Sequence, residues 1–181
     1  LKPFFYFLTG FVIFQRLVEL IIAKRNEKTA FANGGVEYDR EGYKVIVLMH
    51  TCFFLSMIFE FFYFARSLNR YWFIYFIFFC AAQILRYWAI ITLGKSWNTR
   101  IIITPGSGLI KRGPYRFMDH PNYSAVITEL AVLPMIFSCY ITAIVFSFFN
   151  LLLLSRRIRI EEKALAKLKS GSNYGTKTRS H

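Results

Sequence analysis

From Pro121 to Ser155 the chain runs for 35 residues with Glu129 as its one charged side chain. A single helix of that length would measure about 52 Å against a hydrocarbon core of about 30 Å. The block therefore has to fold back, with a turn expected at 138–140 and Pro134 bending or interrupting the helix just before it. Three further apolar stretches, at 3–23, 45–65 and 71–93, are each long enough to cross a bilayer once. The first leads into Lys24 and Arg25 without a small-residue cleavage site, so it is expected to stay as a span rather than be removed as a leader. The expected fold is all-α: an integral membrane helical bundle of five transmembrane helices, the fourth and fifth a tight helical hairpin, followed by a short amphipathic C-terminal helix.

Composition excludes the alternatives. With 55% hydrophobic and 19% aromatic residues, the chain has too little polar surface to cover a soluble globule of 181 residues. The formal charge of +13 invites a nucleic-acid reading, but the basic residues sit in short segments between apolar runs. Loops 24–44 and 94–120 and the segment after Ser155 carry 18 of the 23 Lys and Arg residues, and the opposite side carries 3. That asymmetry orients the two longer loops and the C-terminus toward the cytoplasm, in an integral multi-pass membrane protein expected to have no nucleic-acid partner. Cys52, Cys80 and Cys139 lie inside apolar runs and form no CxxC pair, so neither a disulfide framework nor a metal site is expected.

Ionisable residues at membrane depth are costly unless paired, and each is a candidate for function. Gln15, Arg16 and Glu19 fall within one helical turn of each other in the first span, and Gln83 and Arg86 share a face of the third. His50 lies near the start of the second span, within reach of the interface, and Glu60 lies deeper in it. Glu129, deep in the fourth span without a sequence-local partner, is a candidate catalytic carboxylate that Arg16, Arg86 or Arg157 can alternatively neutralise.

Chemistry concentrates in two segments. The first runs from Leu93-Gly94 through an extended-looking 101–104 and Pro105-Gly106-Ser107-Gly108-Leu109-Ile110 to Gly113-Pro114-Tyr115 and His120-Pro121-Asn122-Tyr123. Glycines permit close backbone approach or a turn, and Pro121 suits the first position of the fourth span. A helix start there leaves N–H groups and a partial positive charge for a carboxylate, with His120 beside it. The second segment follows the fifth span: Arg157 and Glu161 are four residues apart and share a helix face at the membrane boundary, with Glu162 next to them.

Together these segments, from Leu93 to Leu168, resemble the isoprenylcysteine carboxyl methyltransferase family of membrane methyltransferases. The resemblance rests on Leu93-Gly94, Gly113-Pro114-Tyr115, His120-Pro121-Asn122-Tyr123, an apolar hairpin, and Arg157, Glu161-Glu162 and Leu165. It implies one domain over 1–181 with a cofactor-binding part at about 94–169; the last residues, 170–181, are polar and glycine-containing and are expected to be a mobile tail. The resemblance implies S-adenosylmethionine as methyl donor, held without a Rossmann motif by Ser107, Gly108, Leu109, Ile110, Tyr115, His120, Pro121, Asn122, Tyr123, Glu161 and Glu162. Arg157 matches the family arginine that faces the acceptor. Asp119 stands where the family usually has Arg, and Ser124-Ala125 where it has glycine.

Methyl transfer from a sulfonium needs an aligned nucleophile and a dry site. An ionised carboxylate or enol needs no strong base, and Arg157 is suited to orient it. Within the family the chain resembles the small bacterial members, which implies a bacterial cell membrane and a lipophilic acceptor: an alkylpyrone or phenolic polyketide lipid, with prenylcysteine carboxylate and then a phospholipid amine as alternatives. A membrane scaffold or transporter subunit is the competing class. It explains intramembrane charge but not the clustering of His120, Tyr123, Arg157 and Glu161.

Overall fold

The computed structural model describes residues 2–106 and 110–177, with side chains described up to 166. It is all-helical apart from one short strand pair: α1 (Lys2–Ala32), β1 (Val36–Tyr38), α2 (Arg40–Tyr63), α3 (Trp72–Leu93), β2 (Ile101–Ile103), α4 (Pro121–Ile136) and α5 (Tyr140–Lys177). Four helices, α1, α2, α3 and α5, are long and apolar enough to cross a membrane. α4 has 16 residues, about 24 Å, and is shorter than a full span.

Spacing within the helices sorts two faces. In α1 the buried residues Phe5, Leu8, Val12, Gln15, Glu19 and Ala23 recur every three or four positions, while Phe7, Phe11, Phe14 and Ile21 face outward. Outward-facing apolar stripes continue on α2, α3 and α5 through Leu48, Phe59, Ile77, Ile84, Ile91, Ile144 and Leu152. An apolar exterior of this extent fits acyl chains rather than water.

The apolar core runs from Met49, Val126 and Leu154 to an aromatic cluster at one end of the bundle. Phe5 stacks on Phe61 at 3.8 Å and meets Phe137 edge-on at 4.9 Å, with Leu133 and Ile136 also buried there. At that end α4 stops and the chain turns through 137–139. Ser138 adopts φ 56°, and the N–H groups of Phe137 and Cys139 both donate to the Pro134 carbonyl. The turn falls where 138–140 was expected. The first amides of α5 are satisfied from another helix: Glu60 on α2 accepts from the N–H of Ile141 (3.2 Å) and Thr142 (2.7 Å) and from the Thr142 hydroxyl (2.8 Å), and pairs with Arg66 at 3.0 Å.

One expectation is corrected. The C-terminal segment is not a separate amphipathic helix but the continuation of α5, which runs unbroken from Tyr140 to Lys177. No Gly or Pro occurs between Tyr140 and Ser170, so nothing ends the helix where it leaves the apolar region. The expected tail at 170–181 falls on residues whose side chains are not described.

At the opposite end from the aromatic core, α1 ends at Ala32 and the chain turns at Gly34 (φ 75°), and β1 pairs antiparallel with β2, Val36 facing Ile103 and Tyr38 facing Ile101. Ile101 and Ile103 pack on Ala164, Ile160 and Leu165 of α5. Asn26 on α1 donates to the carbonyls of Gly94 (3.1 Å) and Trp97 (2.7 Å), tying the end of α1 to the chain leaving α3. These contacts fix the stretch 94–103 against the extended ends of α1 and α5.

Candidate active site

The loop enters the site through two glycine turns. Gly94 has φ 53° at the end of α3, and Gly113 has φ 56°. A Cβ on Gly113 would lie 2.3 Å from the Thr92 hydroxyl, so a side chain there would force the loop away from α3. Gly113–Arg116 forms a one-turn 3₁₀ helix that carries Tyr115, and His120 is the residue that precedes α4, with Pro121 at its first position.

Tyr115, His120, Asn122 and Tyr123 line a cavity of about 220 Å³ together with Trp97, Asn98, Ile110, Asp119, Glu161 and Leu165. The His120 and Tyr123 rings stack with centroids 5.2 Å apart and planes 17° apart. The Tyr123 hydroxyl donates to Glu161 Oε2 at 2.6 Å and accepts from Arg157 Nε at 2.9 Å. Arg157 Nη2 donates to the Thr99 carbonyl at 2.6 Å. One phenol thus joins α4 to two residues one turn apart on α5. Burial, reinforced by the Glu161 carboxylate, pushes the Tyr115 phenol up to about 12.

A second cavity, of about 420 Å³, opens between α1, α2, α4 and α5 and shares Trp97, Asn98, Asn122 and Tyr123 with the first. Arg157 lines this second cavity, along with Ile46, Val47, Phe54, Leu55, Val126 and Leu154. Arg157 is 5% exposed and has no carboxylate partner in an ion pair among the described residues. The two cavities therefore meet at Tyr123 and its neighbours, with a carboxylate on one side and a buried guanidinium on the other.

The remaining site residues expected from sequence are distributed as follows. Ile110, Tyr115, His120, Asn122, Tyr123 and Glu161 are brought together around the smaller cavity. Pro121 is buried at the start of α4 behind it. Glu162 points outward, its side chain 62% exposed, with Oε1 3.7 Å from His120 Nε2. Ser107, Gly108 and Leu109 lie outside the described residues. Glu129 is apart from this group. It accepts from Arg16 Nη2 (2.6 Å), Arg86 Nη2 (3.0 Å) and Gln83 Nε2 (2.6 Å) in a buried cluster that also holds Gln15 and Glu19. Two arginines and two glutamates cancel there, which is the condition for burying ions at membrane depth. His50, expected near the interface, instead lines the larger cavity.

Two lining residues carry no sequence signal: Trp97 and Asn98. The Trp97 indole N–H and the Asn98 and Asn122 side-chain oxygens are buried without a hydrogen-bond partner among the described residues. Unpaired buried polar atoms around a cavity are groups that a polar ligand satisfies. The set fits S-adenosylmethionine by kind: acceptors and a carboxylate for its cationic and amino groups, and a histidine beside a helix start for its carboxylate.

The model of the isoprenylcysteine carboxyl methyltransferase (ICMT) family matches residues 74–167, which take in most of α3, the whole loop, α4 and α5 as far as the site. The uncharacterized protein YpbQ of Bacillus subtilis (strain 168) is 41% identical over 161 residues, 89% of this chain and 96% of the relative. An uncharacterized protein of Haemophilus influenzae is 28% identical over 154 residues, 84% of this chain and 90% of its own length. No solved structure matches. The matched region, and the grouping within it of the motif residues that first pointed this way, make the chain a member of the isoprenylcysteine carboxyl methyltransferase family.

Proposed function

We propose that this membrane methyltransferase transfers the methyl group of S-adenosylmethionine to an ionised oxygen of a lipophilic acceptor at the cytoplasmic face. The observation that carries this reading is Arg157: a guanidinium almost wholly buried, facing an apolar cavity, with no carboxylate paired to it. Burying an uncompensated cation is expensive, and an anionic ligand removes that cost. The same charge disfavours an amine acceptor, leaving a carboxylate or an enol or phenol. Of these, the alkylpyrone or phenolic polyketide lipid is our first choice.

The donor, when bound, supplies a methyl group made electrophilic by a positively charged sulfur. Glu161 would favour that charge from α5, while Asn98 and Asn122 offer their unpaired oxygens to its amino groups. His120 and the free N–H groups of α4 would hold its carboxylate. On the acceptor side Arg157 spends Nε on Tyr123 and Nη2 on Thr99, so its Nη1, without a partner among the described residues, is the donor left for the acceptor oxygen. Val126, Leu154 and Ile46 keep that oxygen dry, which strengthens its nucleophilicity. Tyr123 couples the two halves and fixes the guanidinium's orientation. In this reading α4 and α5 form the hairpin of the bundle, and Glu129 anchors it rather than reacting.

The test is calorimetric binding of S-adenosylhomocysteine to the detergent-purified protein, followed by incubation of S-adenosylmethionine with lipid extract and mass spectrometry for the gain of one methyl group. Binding plus a methylated acidic lipid is the expected result. No binding by well-folded protein favours the scaffold class instead, and methylation of an amine overturns the role given to Arg157.

A further inference from the structure

The larger cavity is not uniformly apolar. Beyond Arg157 it has a second polar station, formed by His50 of α2 with Arg16 and Glu19 of α1 and Arg86 of α3. The two stations differ in depth. Thr99, whose carbonyl accepts from Arg157, donates its hydroxyl to Tyr43 at 3.4 Å, and Tyr43 is seven residues before His50 on α2. At helical rise those two backbone positions are about 10 Å apart, with His50 the nearer to the bundle centre. Ile46, Val47 and Leu154 lie in the apolar stretch of wall that also lines this cavity.

The hydrogen-bonding state of the deeper station is defined. His50 Nδ1 lies 2.9 Å from the Ile46 carbonyl, which accepts only, so the Nδ1 hydrogen is committed there and Nε2 is left as an acceptor. No protein partner meets that nitrogen among the described residues. Arg86, 4% exposed, lines the same cavity, and its Nε–H is also without a partner. Arg16 and Glu19 are occupied with each other, with Arg16 also bonded to Glu129 and Arg86 facing Glu19. What remains open to the cavity is the Nε2 acceptor of His50, which a hydroxyl donor satisfies.

We infer that the acceptor lipid carries, besides its reacting anionic head, a hydroxyl further along its chain that donates to His50 of this deeper station. This rests on the acceptor role given above to the larger cavity and narrows its substrate class. A plain hydrocarbon chain would leave the His50 nitrogen buried and unpaired, and the cost of that is what discriminates between lipids.

Binding of three probes to the detergent-purified full chain tests it: stearate, stearate with one mid-chain hydroxyl, and stearate with the hydroxyl at the chain end. Calorimetry is expected to give about tenfold tighter binding of the mid-chain hydroxy acid than of the other two. His50→Phe is expected to erase the difference, and His50→Gln, which keeps an acceptor, to restore part of it. Equal binding of all three probes, no binding of any, or a preference that survives His50→Phe overturns the inference. If His50→Phe does not fold, the wild-type ranking of the probes decides alone. S-adenosylhomocysteine binding measured on the same sample separates failure of the methyl-transfer reading from failure of this one, because the lipid preference is read without turnover.

Discussion

The phenolic hydrogen of Tyr123, on the first turn of α4, is given to Glu161 of α5 across 2.6 Å. The same oxygen accepts from Arg157 at 2.9 Å, so one hydroxyl aligns a carboxylate in the smaller cavity with a guanidinium in the larger. Tyr123→Phe keeps the ring stacked on His120 and removes only this bridge. A lost bond to a charged group in a buried site costs about 1.5–3 kcal/mol, so kcat should fall roughly ten- to a hundredfold. Steady-state kinetics with saturating S-adenosylmethionine check it; an unchanged kcat would remove Tyr123 from the coupling.

His120 and Arg157 belong to different cavities and their variants should separate accordingly. His120→Ala is expected to weaken S-adenosylhomocysteine binding about tenfold or more, measured by calorimetry. Arg157→Lys keeps the charge but loses the planar fork that holds Tyr123 and Thr99 together, so turnover should drop while S-adenosylhomocysteine affinity moves little. The opposite pattern would exchange their roles.

Sequence carried the local part of this site and missed the part made by distant packing. Arg157 and Glu161 are one turn apart on any helix, and His120 to Tyr123 sit at a proline-marked helix start, so both groups could be read directly. The fold-back before α5 followed from length alone. By contrast, Trp97 and Asn98 are held at the cavity by Asn26 of α1 on the Trp97 carbonyl and by Arg157 of α5 on the Thr99 carbonyl, and pairings across 71 and 58 residues leave no local pattern. The extended character of 101–103 was visible, but not its partner at 36–38, since two whole helices separate them. Glu129 illustrates the same limit. Its charge at depth marked it as exceptional, and its arginines lay among the partners considered, but only the packing of α1 and α3 against α4 set it apart from Arg157.

That packing supports reading Glu129 as a stability residue, in line with the proposed function. Its carboxylate takes bonds from Arg16 and Arg86 and is 2% exposed. Glu129→Ala leaves two arginines opposite Glu19 alone, and breaking a buried pair in this way costs about 3–5 kcal/mol. Thermal unfolding in detergent should show a lower midpoint than any single variant lining the smaller cavity. A reacting carboxylate would give the reverse, a normal melt with lost turnover.

Gly113 sets the position of Tyr115. At φ 56°, with a Cβ that would meet the Thr92 hydroxyl at 2.3 Å, an alanine is strained both by conformation and by contact. The conformational part alone costs about 1–2 kcal/mol. Gly113→Ala should therefore weaken S-adenosylhomocysteine binding by displacing the 3₁₀ turn, and Thr92→Ala combined with it should recover part of the loss by clearing the contact. Failure of the double variant to recover anything would assign the whole effect to backbone strain.

Tyr115 supplies a pH signature. Burial comes first and the Glu161 carboxylate second in raising its phenol from the usual value of about 10 to about 12. Both causes disfavour the phenolate, so Tyr115 remains a hydrogen-bond donor across the physiological range. The linkage follows from the direction of the shift. Below the unfolded value the phenol is protonated in both states and stability is intact. Between that value and about 12 the unfolded chain loses its proton while the folded one keeps it, so stability declines as pH rises through this window. The phenolate absorbance of wild type minus Tyr115→Phe should accordingly rise late in an alkaline titration, near the upper end of that window. Glu161→Gln should bring the rise to lower pH by removing the nearby negative charge, without returning it fully, because burial remains. A difference curve that titrates as an exposed tyrosine does would mean that Tyr115 does not line a closed cavity beside Glu161.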